Sequence, residues 1–595
     1  MKRCLFLLLV LLGFGGQNRA IAQMTAADVQ LVINQAVSRA VAISPNSVIA
    51  VTDREGYVLG VWVVRGGAAT PGEIATAVSK AGTASFLSSN QNAFTSRTAG
   101  FIIQQHFPPG VRNTPTGPLV GVGLSNLFVS DVNRFKKTDL LPCPPSTASM
   151  PPCLPADAPP QSPGTLGSPI AFTSLDGSPG GVPLYKNGVL VGGVGVTGDG
   201  TPQPPVPTAV DLTNVPALPA CLVSALLPIP AIARNENPFI FIGGYDVDED
   251  VSLAGERGFA PTSNITADNV FINGIRLPYV VASGSSTSAT ASAISARNRS
   301  RRRRPKPTAT PSIILAGNVD PQYPVVGSPP PFPYVTATFG GVTGQIRQPI
   351  ISDPVATPID GQPRLTAPEV ARIIDFAAQR VKITRAGIRL PIGSQMQVFI
   401  TVVNNPDVDG CPPIVLGTFR TGEATMFSWD VAVQKARTAL FYSRHDFLNF
   451  GTDVAFSTRA VGFLAQRFYP PGIDDQPPGP FFIEQDKLSG FAGTEPNVVF
   501  TAMADTTPPG AEPLRNGIRS DLPNGITIFP GGFPLYRNGV LIGAIGVSGD
   551  GVDQDDIVGA SGTHDFLAPE RIRSDEFLFR DTRLPYAKFP RDPGR

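Results

Sequence analysis

A 21-residue segment occurs twice in this chain, and this repeat limits the fold more than any other feature. GGVPLYKNGVLVGGVGVTGDG at 180–200 returns as GGFPLYRNGVLIGAIGVSGDG at 531–551, with 15 of 21 positions identical. Most of the other six positions exchange similar residues. A repeat of this length and identity predicts that the chain contains the same structural unit twice.

Three further blocks repeat in the same order. They are AVSKAGTASFLSS and AVQKARTALFYSR (77–89 and 432–444), FTSRTAGFIIQQHFPPG and FSTRAVGFLAQRFYPPG (94–110 and 456–472), and RLPY (276–279 and 583–586). Four blocks in one order predict duplication of a whole domain rather than a short solenoid repeat. We call the two predicted domains copy one (25–282) and copy two (365–590).

Local patterns predict the same elements in each copy. Apolar residues at helical spacing follow Thr25 and Thr366, each with an acidic residue three positions later, which is typical of a capped first helix. A β-hairpin and a helix rich in small residues come next. The Asn-Gly steps at 187–188 and 538–539 predict a second hairpin with a tight turn. An acidic stretch, 246–250 or 553–556, then precedes a short last helix.

These elements predict an α+β fold in which each copy has an antiparallel sheet covered by helices. The glycines that alternate with apolar residues in the second hairpin predict close packing of a helix on the sheet. Gly and Pro together make up about a fifth of the 595 residues. They concentrate in two Pro-rich inserts of copy one, near 136–176 and 201–245, and in a Ser/Arg/Pro-rich linker, 283–364.

The N-terminus has the pattern of a cleaved export signal. Residues 1–22 combine a basic start, a short apolar run and the ending Ala20-Ile21-Ala22. No later stretch is apolar for long enough to span a membrane, so we expect a periplasmic or extracellular protein. Four cysteines remain after residue 22, and disulfides are compatible with that compartment: Cys143 with Cys153 as a local bridge, and Cys221 with Cys411 between the halves.

Charge and motifs narrow the function classes. The formal net charge is +1, which gives no overall preference for nucleic acid. Six arginines between 297 and 304 predict either contact with an anionic surface or a solvated hinge. No nucleophile elbow, zinc-protease motif or phosphate-binding loop is present, and we expect no catalytic and no metal-binding residues. Asp199 and Asp550, in the paired Gly-Asp-Gly tails, are read as turn formers, with Ca²⁺ binding or base catalysis as the alternative.

The order of elements, the K-A-x-T-A helix and the G-G-x-P-L-Y…N-G-V hairpin resemble the GlcG/HbpS family, described as haem-binding or haem-degrading. The resemblance covers most of each copy but neither the inserts nor the linker. It implies a compact α+β domain, self-association and haem as cofactor. The matching positions give the candidate ligand-binding residues, which are Lys80, Arg97, Gly181 and Tyr185 in copy one and Lys435, Arg459, Gly532 and Tyr536 in copy two.

Haem requires an axial ligand, most often histidine. The three histidines, His106, His445 and His564, have no histidine at the matching position of the other copy, so the copies cannot share a histidine ligand. Tyr185 and Tyr536 are shared, and a phenolate ligand is the alternative. The leading hypothesis is an exported, non-catalytic protein that binds haem or another anionic small molecule beside the GGxPLY hairpin. The alternatives are an interaction protein of the cell envelope that uses the inserts and linker, and a haem-degrading or redox enzyme.

Overall fold

The computed structural model describes the chain in ten stretches. These are residues 23–104, 106–119, 175–200, 244–281, 316–330, 334–391, 393–408, 413–466, 468–481 and 527–588. The predicted export signal, nearly all of both Pro-rich inserts, the Arg-rich part of the linker and the four predicted disulfide cysteines lie outside the described residues.

Eight α-helices occur in the described stretches. They are α1 (Ala26–Ile43), α2 (Pro71–Leu87), α3 (Ser96–Ile102), α4 (Val247–Gly255), α5 (Ala367–Ile383), α6 (Phe427–Tyr442), α7 (Thr458–Leu464) and α8 (Val552–Gly562). The predicted capping boxes are present: Thr25 and Asp28 begin α1, and Thr366 and Glu369 begin α5. Each box satisfies backbone N–H groups that have no partner within the first turn.

The same stretches contain fifteen strands. They are β1 (Val48–Asp53), β2 (Val58–Val63), β3 (Gly181–Lys186), β4 (Val189–Thr197), β5 (Phe271–Ile272), β6 (Ile275–Arg276), β7 (Asn318–Val319), β8 (Val335–Phe339), β9 (Val342–Gln348), β10 (Val398–Asn404), β11 (Val415–Thr421), β12 (Gly532–Arg537), β13 (Val540–Gly549), β14 (Leu578–Phe579) and β15 (Thr582–Arg583).

Two antiparallel sheets carry the fold, and their strand orders correspond. Sheet one runs β3-β4-β1-β2-β7, and sheet two runs β12-β13-β10-β11-β9-β8. The predicted tight turns join β3 to β4 and β12 to β13, with Asn187 and Asn538 at φ 54° and 51°. Helices cover both sheets, so the predicted α+β fold is confirmed.

The glycines of the second hairpin admit the backbone of a helix. A Cβ on Gly195 of β4 would stand 2.1 Å from the carbonyl oxygen of Ala77 in α2. A Cβ on Gly546 of β13 would stand 1.9 Å from that of Ala432 in α6. Both distances are far below van der Waals contact, so each helix packs on its sheet only because the strand lacks a side chain there.

The predicted linker is folded in its second part. Strand β7 pairs with β2 of sheet one, and β8 and β9 extend sheet two beside β11. The stretch after β7 continues along β2, where Val326 N–H donates to the carbonyl of Leu59. The prediction of a linker over 283–364 is therefore wrong for these strands, because the Gly and Pro content indicated a linker, whereas β7 and the β8–β9 hairpin join sheets whose other strands are distant in sequence.

The two copies share one hydrophobic cluster. It includes Phe86 and Phe94 of copy one together with Phe399, Phe427 and Trp429 of copy two. The Phe86 and Phe427 rings meet with centroids 6.4 Å apart. Burial of this surface between the copies stabilises their association in the way a subunit interface does. Within the described residues, no helix is both long and apolar enough to cross a membrane.

Candidate functional site

The two predicted lysines are buried between a helix and the sheet. Lys80 Nζ donates to the carbonyl of Val196 at 2.9 Å and lies 3.3 Å from Asp248 Oδ2. Lys435 Nζ donates to the carbonyl of Val547 at 2.7 Å and pairs with Asp555 Oδ2 at 2.9 Å. Each lysine side chain is 1% exposed. The lysines thus join the last helix of each copy to its sheet, and neither faces an open cleft.

Burial perturbs the ionisation of the copy-two pair. Loss of water lowers the pKa of Lys435, although the nearby Asp555 opposes this shift. Burial likewise raises the pKa of Asp555 to about 6, against the charge of Lys435. A cavity of about 30 Å³ adjoins this pair, with Leu87, Phe427 and Val431 in its wall. Such a volume admits about one water molecule. This cavity therefore cannot hold a ligand as large as haem.

The two predicted arginines clamp the last helix of each copy. Arg97 binds Glu249 through two bonds of 2.8 and 2.9 Å, and its side chain is fully buried. Arg459 binds Asp556 and Asp553 at 2.8 and 2.7 Å and is 19% exposed. Each guanidinium already has carboxylate partners in a bidentate or bridging arrangement. An external anion would have to displace those carboxylates.

Gly181 and Gly532 are positions of close backbone approach. Their N–H groups donate to Ser96 Oγ and Thr458 Oγ1, both at 2.8 Å. A Cβ at Gly181 would be 2.2 Å from the carbonyl oxygen of Lys80, and one at Gly532 would be 2.4 Å from that of Lys435. Glycine is needed here for packing of the hairpin against the helix.

The two shared tyrosines are also buried. Tyr185 donates its hydroxyl hydrogen to the carbonyl of Ser89 at 2.6 Å. Burial raises the pKa of Tyr185 and of Tyr536 well above the ordinary value. A phenolate ligand requires the opposite shift, so this environment disfavours the tyrosine alternative for haem ligation.

Asp199 and Asp550 hold turns and loops. Asp199 accepts bonds from the backbone and side chain of Asn46, at 3.1 and 2.7 Å. Asp550 accepts from Gln397 N–H and pairs with Arg389 at 2.8 Å. No group of three or more potential metal-ligating side chains occurs in the part of the chain that the structure describes.

An open groove of about 540 Å³ lies beside the second Asn-Gly turn, and of the residues predicted to bind a ligand it contains Tyr536. The start of α5, the end of β12 and the loop after α8 form its walls. Residues that line it include Arg372, Tyr536, Arg537, His564 and Asp565. Because these residues come from segments up to about 190 positions apart, only the tertiary fold brings them together.

His564 is the distinctive residue of this groove. Its Nδ1 lies 3.0 Å from Asp565 Oδ1, and its ring stacks on Phe376 with centroids 4.4 Å apart and 23° between the planes. The side chain is 52% exposed. No hydrogen bond of Nε2 occurs among the described residues. A carboxylate on one ring nitrogen fixes the orientation of the imidazole and leaves the other nitrogen for a metal.

Two arginines flank the histidine. Arg372 pairs with Asp565 and is 63% exposed. Arg537 pairs with Glu369 at 2.5 Å, and its guanidinium carbon lies 5.5 Å from the centre of the Phe566 ring. Two carboxylates thus balance two guanidinium groups. A ligand here would depend on a bond to His564 and on apolar contact more than on net charge.

The other two histidines are differently placed. His106 Nε2 lies 2.9 Å from Asp474 Oδ1, in a contact between the two copies. His445 lies among aromatic rings, with the Phe447 ring 5.7 Å away. Neither histidine lines the groove at His564 or the other two pockets described in this section.

A larger groove of about 860 Å³ lies near the end of copy two. Its lining carries Glu570, Asp575 and Glu576 against Arg573 and Arg583, and it contains no histidine. The excess of carboxylates disfavours an anionic ligand in this groove.

Comparison with known proteins adds one match to a family. Residues 395–564, which contain the second hairpin and His564, match the model of a family described as haem degrading protein HbpS-like. No curated protein matches the chain.

Three solved structures are similar to the chain at low levels. A PduOC:heme complex has 19% identity over 35% of this chain and 98% of its own, with a TM-score of 0.20. Klebsiella pneumoniae protein ORFY has 20% identity over 35% and 92%, with a TM-score of 0.20. A double mutant of Streptomyces reticuli HbpS has 18% identity over 36% and 96%, with a TM-score of 0.19. TM-scores at this level support no inference about function.

Proposed function

We propose that this chain is an exported, non-catalytic protein with two related domains that binds haem in the groove beside Asn538. The observation that carries the proposal is His564, an exposed imidazole oriented by Asp565 and stacked on Phe376. The family description for residues 395–564 supports haem as the ligand. The sequence indicated the buried lysines and arginines as ligand-binding residues. The proposed site lies instead at the rim of the same hairpin.

The groove fits haem in its donor set. His564 Nε2 would supply an imidazole nitrogen, the ligand that haem iron most often takes in proteins. Arg372 and Arg537 lie on the walls, paired with Asp565 and Glu369. Each guanidinium group could bind one haem propionate while it remains paired with its carboxylate. A volume of about 540 Å³ lies within the range of small-molecule sites.

In copy one His564 and Arg372 are replaced, whereas Arg537 is matched by Lys186, which pairs with Asp28 at 2.7 Å. The capping boxes align Arg372 with Leu31, and Phe376 with Gln35. Tyr185 N–H donates to the Phe259 carbonyl in copy one, and Tyr536 N–H donates to the Phe566 carbonyl in copy two. Because these two bonds are equivalent, His564 aligns with Arg257. The proposal therefore assigns one haem to each chain.

The test is a haem titration followed in the visible spectrum. The wild-type protein should give a shifted Soret band that saturates at one haem per chain. His564→Ala should abolish the saturable shift, whereas His445→Gln, the matched control, should leave it unchanged. Retention of the same Soret shift and stoichiometry by His564→Ala would overturn the assignment of the site. Absence of saturable binding by the wild type would overturn haem as the ligand.

The same titration separates binding from degradation. With a reductant and oxygen present, a binding protein keeps its Soret band, whereas a haem-degrading enzyme loses it as product forms. Export has a separate test, which is N-terminal sequencing of the protein recovered outside the cytoplasm. Cleavage after Ala22 is expected.

A further inference from the structure

Four arginines converge where the two copies meet, and within the described stretches they share three carboxylate partners. The β1–β2 turn of copy one brings Arg54 and Glu55 against sheet two. Arg54 pairs with Glu423 at 2.5 Å, and Arg389 pairs with Asp550 at 2.8 Å. Arg347 and Arg420 remain, and their described carboxylate contact is a shared one with Glu55.

The shared contact is long on both sides. Arg347 Nη2 lies 3.4 Å and Arg420 Nη1 lies 3.3 Å from the same atom, Glu55 Oε1. Charge-assisted N–H···O bonds normally measure about 2.7–2.9 Å. One carboxylate oxygen therefore holds two guanidinium groups without an optimal bond to either.

Arg347 has unused donors in a buried position. Its side chain is 1% exposed, and its Nε and Nη1 have no hydrogen-bond partner among the described residues. The guanidinium carbon lies 3.9 Å from the centre of the Tyr334 ring and 5.4 Å from that of Trp429. These rings hold the guanidinium plane in place. Nε and Nη2 form the side-on edge that binds an oxyanion with two parallel bonds, and Glu55 occupies only half of that edge.

Arg420 lies next to this edge. Its Nε and Nη2 donate to the carbonyl of Ala424 at 3.1 and 2.7 Å, so its orientation is fixed by the backbone. Burial, together with the charge of Arg347, lowers the pKa of Arg420 to about 9. An additional negative charge between the two arginines would relieve this repulsion.

Glu55 lies at the mouth of the cluster. Its side chain is 34% exposed, compared with 10% for Arg420 and 1% for Arg347. The carboxylate is thus the outermost charged group of the three and stands on a tight turn. A small solute that approaches from solvent meets Glu55 first and can replace it.

We propose that the cluster of Arg347, Arg420 and Glu55 is a binding site for a small oxyanion, a phosphate or carboxylate group, which takes the place of the Glu55 carboxylate. The ligand accepts from Nε and Nη2 of Arg347 and from Nη1 of Arg420. Because the two arginines belong to sheet two and Glu55 to copy one, binding also alters the contact between the copies. This site is separate from the groove at His564 and does not depend on haem binding.

The chain contains a natural reporter for this site. It has two tryptophans, and Trp429 is the one beside Arg347. Trp62→Phe leaves Trp429 as the only tryptophan. We would titrate the full chain carrying Trp62→Phe with inorganic phosphate, then with acetate, at ionic strength held constant with NaCl, and follow tryptophan emission.

The expected result is a saturable change in emission. Glu55→Gln removes the competing carboxylate and should lower the Kd about tenfold. Arg347→Met should abolish the response. Arg347→Lys keeps the charge but loses the planar edge, so it should weaken binding. This variant provides the test if Arg347→Met does not fold. Arg276→Met, the matched control, removes an exposed arginine outside the cluster and should respond like the parent. A response to phosphate or to acetate assigns the oxyanion class that binds.

Two results would overturn the proposal. The first is an equal response to NaCl alone, which would mean general screening rather than a site. The second is an absence of any saturable change in the Glu55→Gln variant, where the site has lost its internal competitor.

Discussion

The two copies have corresponding strand orders, with one additional edge strand in sheet two, but differ in what surrounds their second hairpin. In copy two the rim carries Arg372, Phe376 and His564, and in copy one the aligned positions are Leu31, Gln35 and Arg257. The interior retains the same pairs of charges, with Lys80 and Asp248 matching Lys435 and Asp555. The comparison teaches that buried charges maintain the fold in both copies, whereas exposed residues at the hairpin rim distinguish them.

The largest expected effect comes from the arginines that clamp the last helix. Arg97→Met leaves Glu249 buried without its bidentate partner, which should lower the free energy of unfolding by about 3–5 kcal/mol. Arg459→Met should cost less, because Arg459 is 19% exposed and one of its partners, Asp553, is 40% exposed. Urea unfolding of the two variants measures the difference. Equal losses would contradict the difference in burial between the copies.

An intermediate effect is expected from Glu256 of copy one. Burial raises the pKa of Glu256 to about 8, and Tyr279 is its hydrogen-bond partner at 3.2 Å. Between pH 4.5 and 8 the folded state therefore binds a proton that the unfolded state has released, so stability falls as the pH rises through this window. Glu256→Gln removes the decline and should raise the free energy of unfolding at pH 8, with an upper limit of about 4 kcal/mol at roughly 1.36 kcal/mol per pKa unit.

Copy two supplies the contrast for that measurement. Burial raises the pKa of Asp550 and of Asp555 only to about 6. Their contribution to the loss of folding stability with rising pH therefore ends near pH 6. Urea unfolding at pH 5, 7 and 8 should show the effect of Glu256→Gln growing up to pH 8. A variant whose stability follows the wild type at every pH would contradict the protonation of Glu256 in the folded state.

The smallest expected effect tests a feature that the copies share. Thr25→Ala and Thr366→Ala each remove a capping box and should lower the free energy of unfolding by about 1 kcal/mol. In both boxes the acidic side chain accepts from the threonine N–H, but only in the first does the threonine Oγ1 accept in return, from Asp28 N–H at 3.1 Å. The loss for Thr25→Ala should therefore be the larger of the two. Chemical denaturation of each variant provides the check, and a larger loss for Thr366→Ala would contradict this difference.

The sequence predicted the elements whose signals are local. The capped helices α1 and α5 and the hairpins at Asn187 and Asn538 were found because caps, periodicity and Asn-Gly steps lie within a few residues of each other. The role of the glycines was also predicted, because a strand with alternating glycines needs a close neighbour. The boundaries of the two domains stay predictions.

The parts that could not be predicted depend on distant residues. Strand β7 has two residues and pairs with β2, and the hairpin of β8 and β9 joins sheet two only through β11, so both attachments are distant in sequence. The groove combines Arg372 with His564, which are distant in sequence, and shared motifs directed attention to buried positions instead. Identity between copies marked the residues that both sheets need for packing, so a property present in one copy alone could not be found by that criterion.

Strand β7 has a consequence for how this chain can be divided. It supplies the edge partner of β2, and Val326 continues the pairing along that strand. A recombinant fragment that stops at residue 282 would leave the N–H and C=O groups of β2 open to pairing with a neighbouring molecule. A fragment that continues through residue 328 would keep that edge paired. The two halves are therefore best separated after Ser328 rather than before the Arg-rich segment at 297–304.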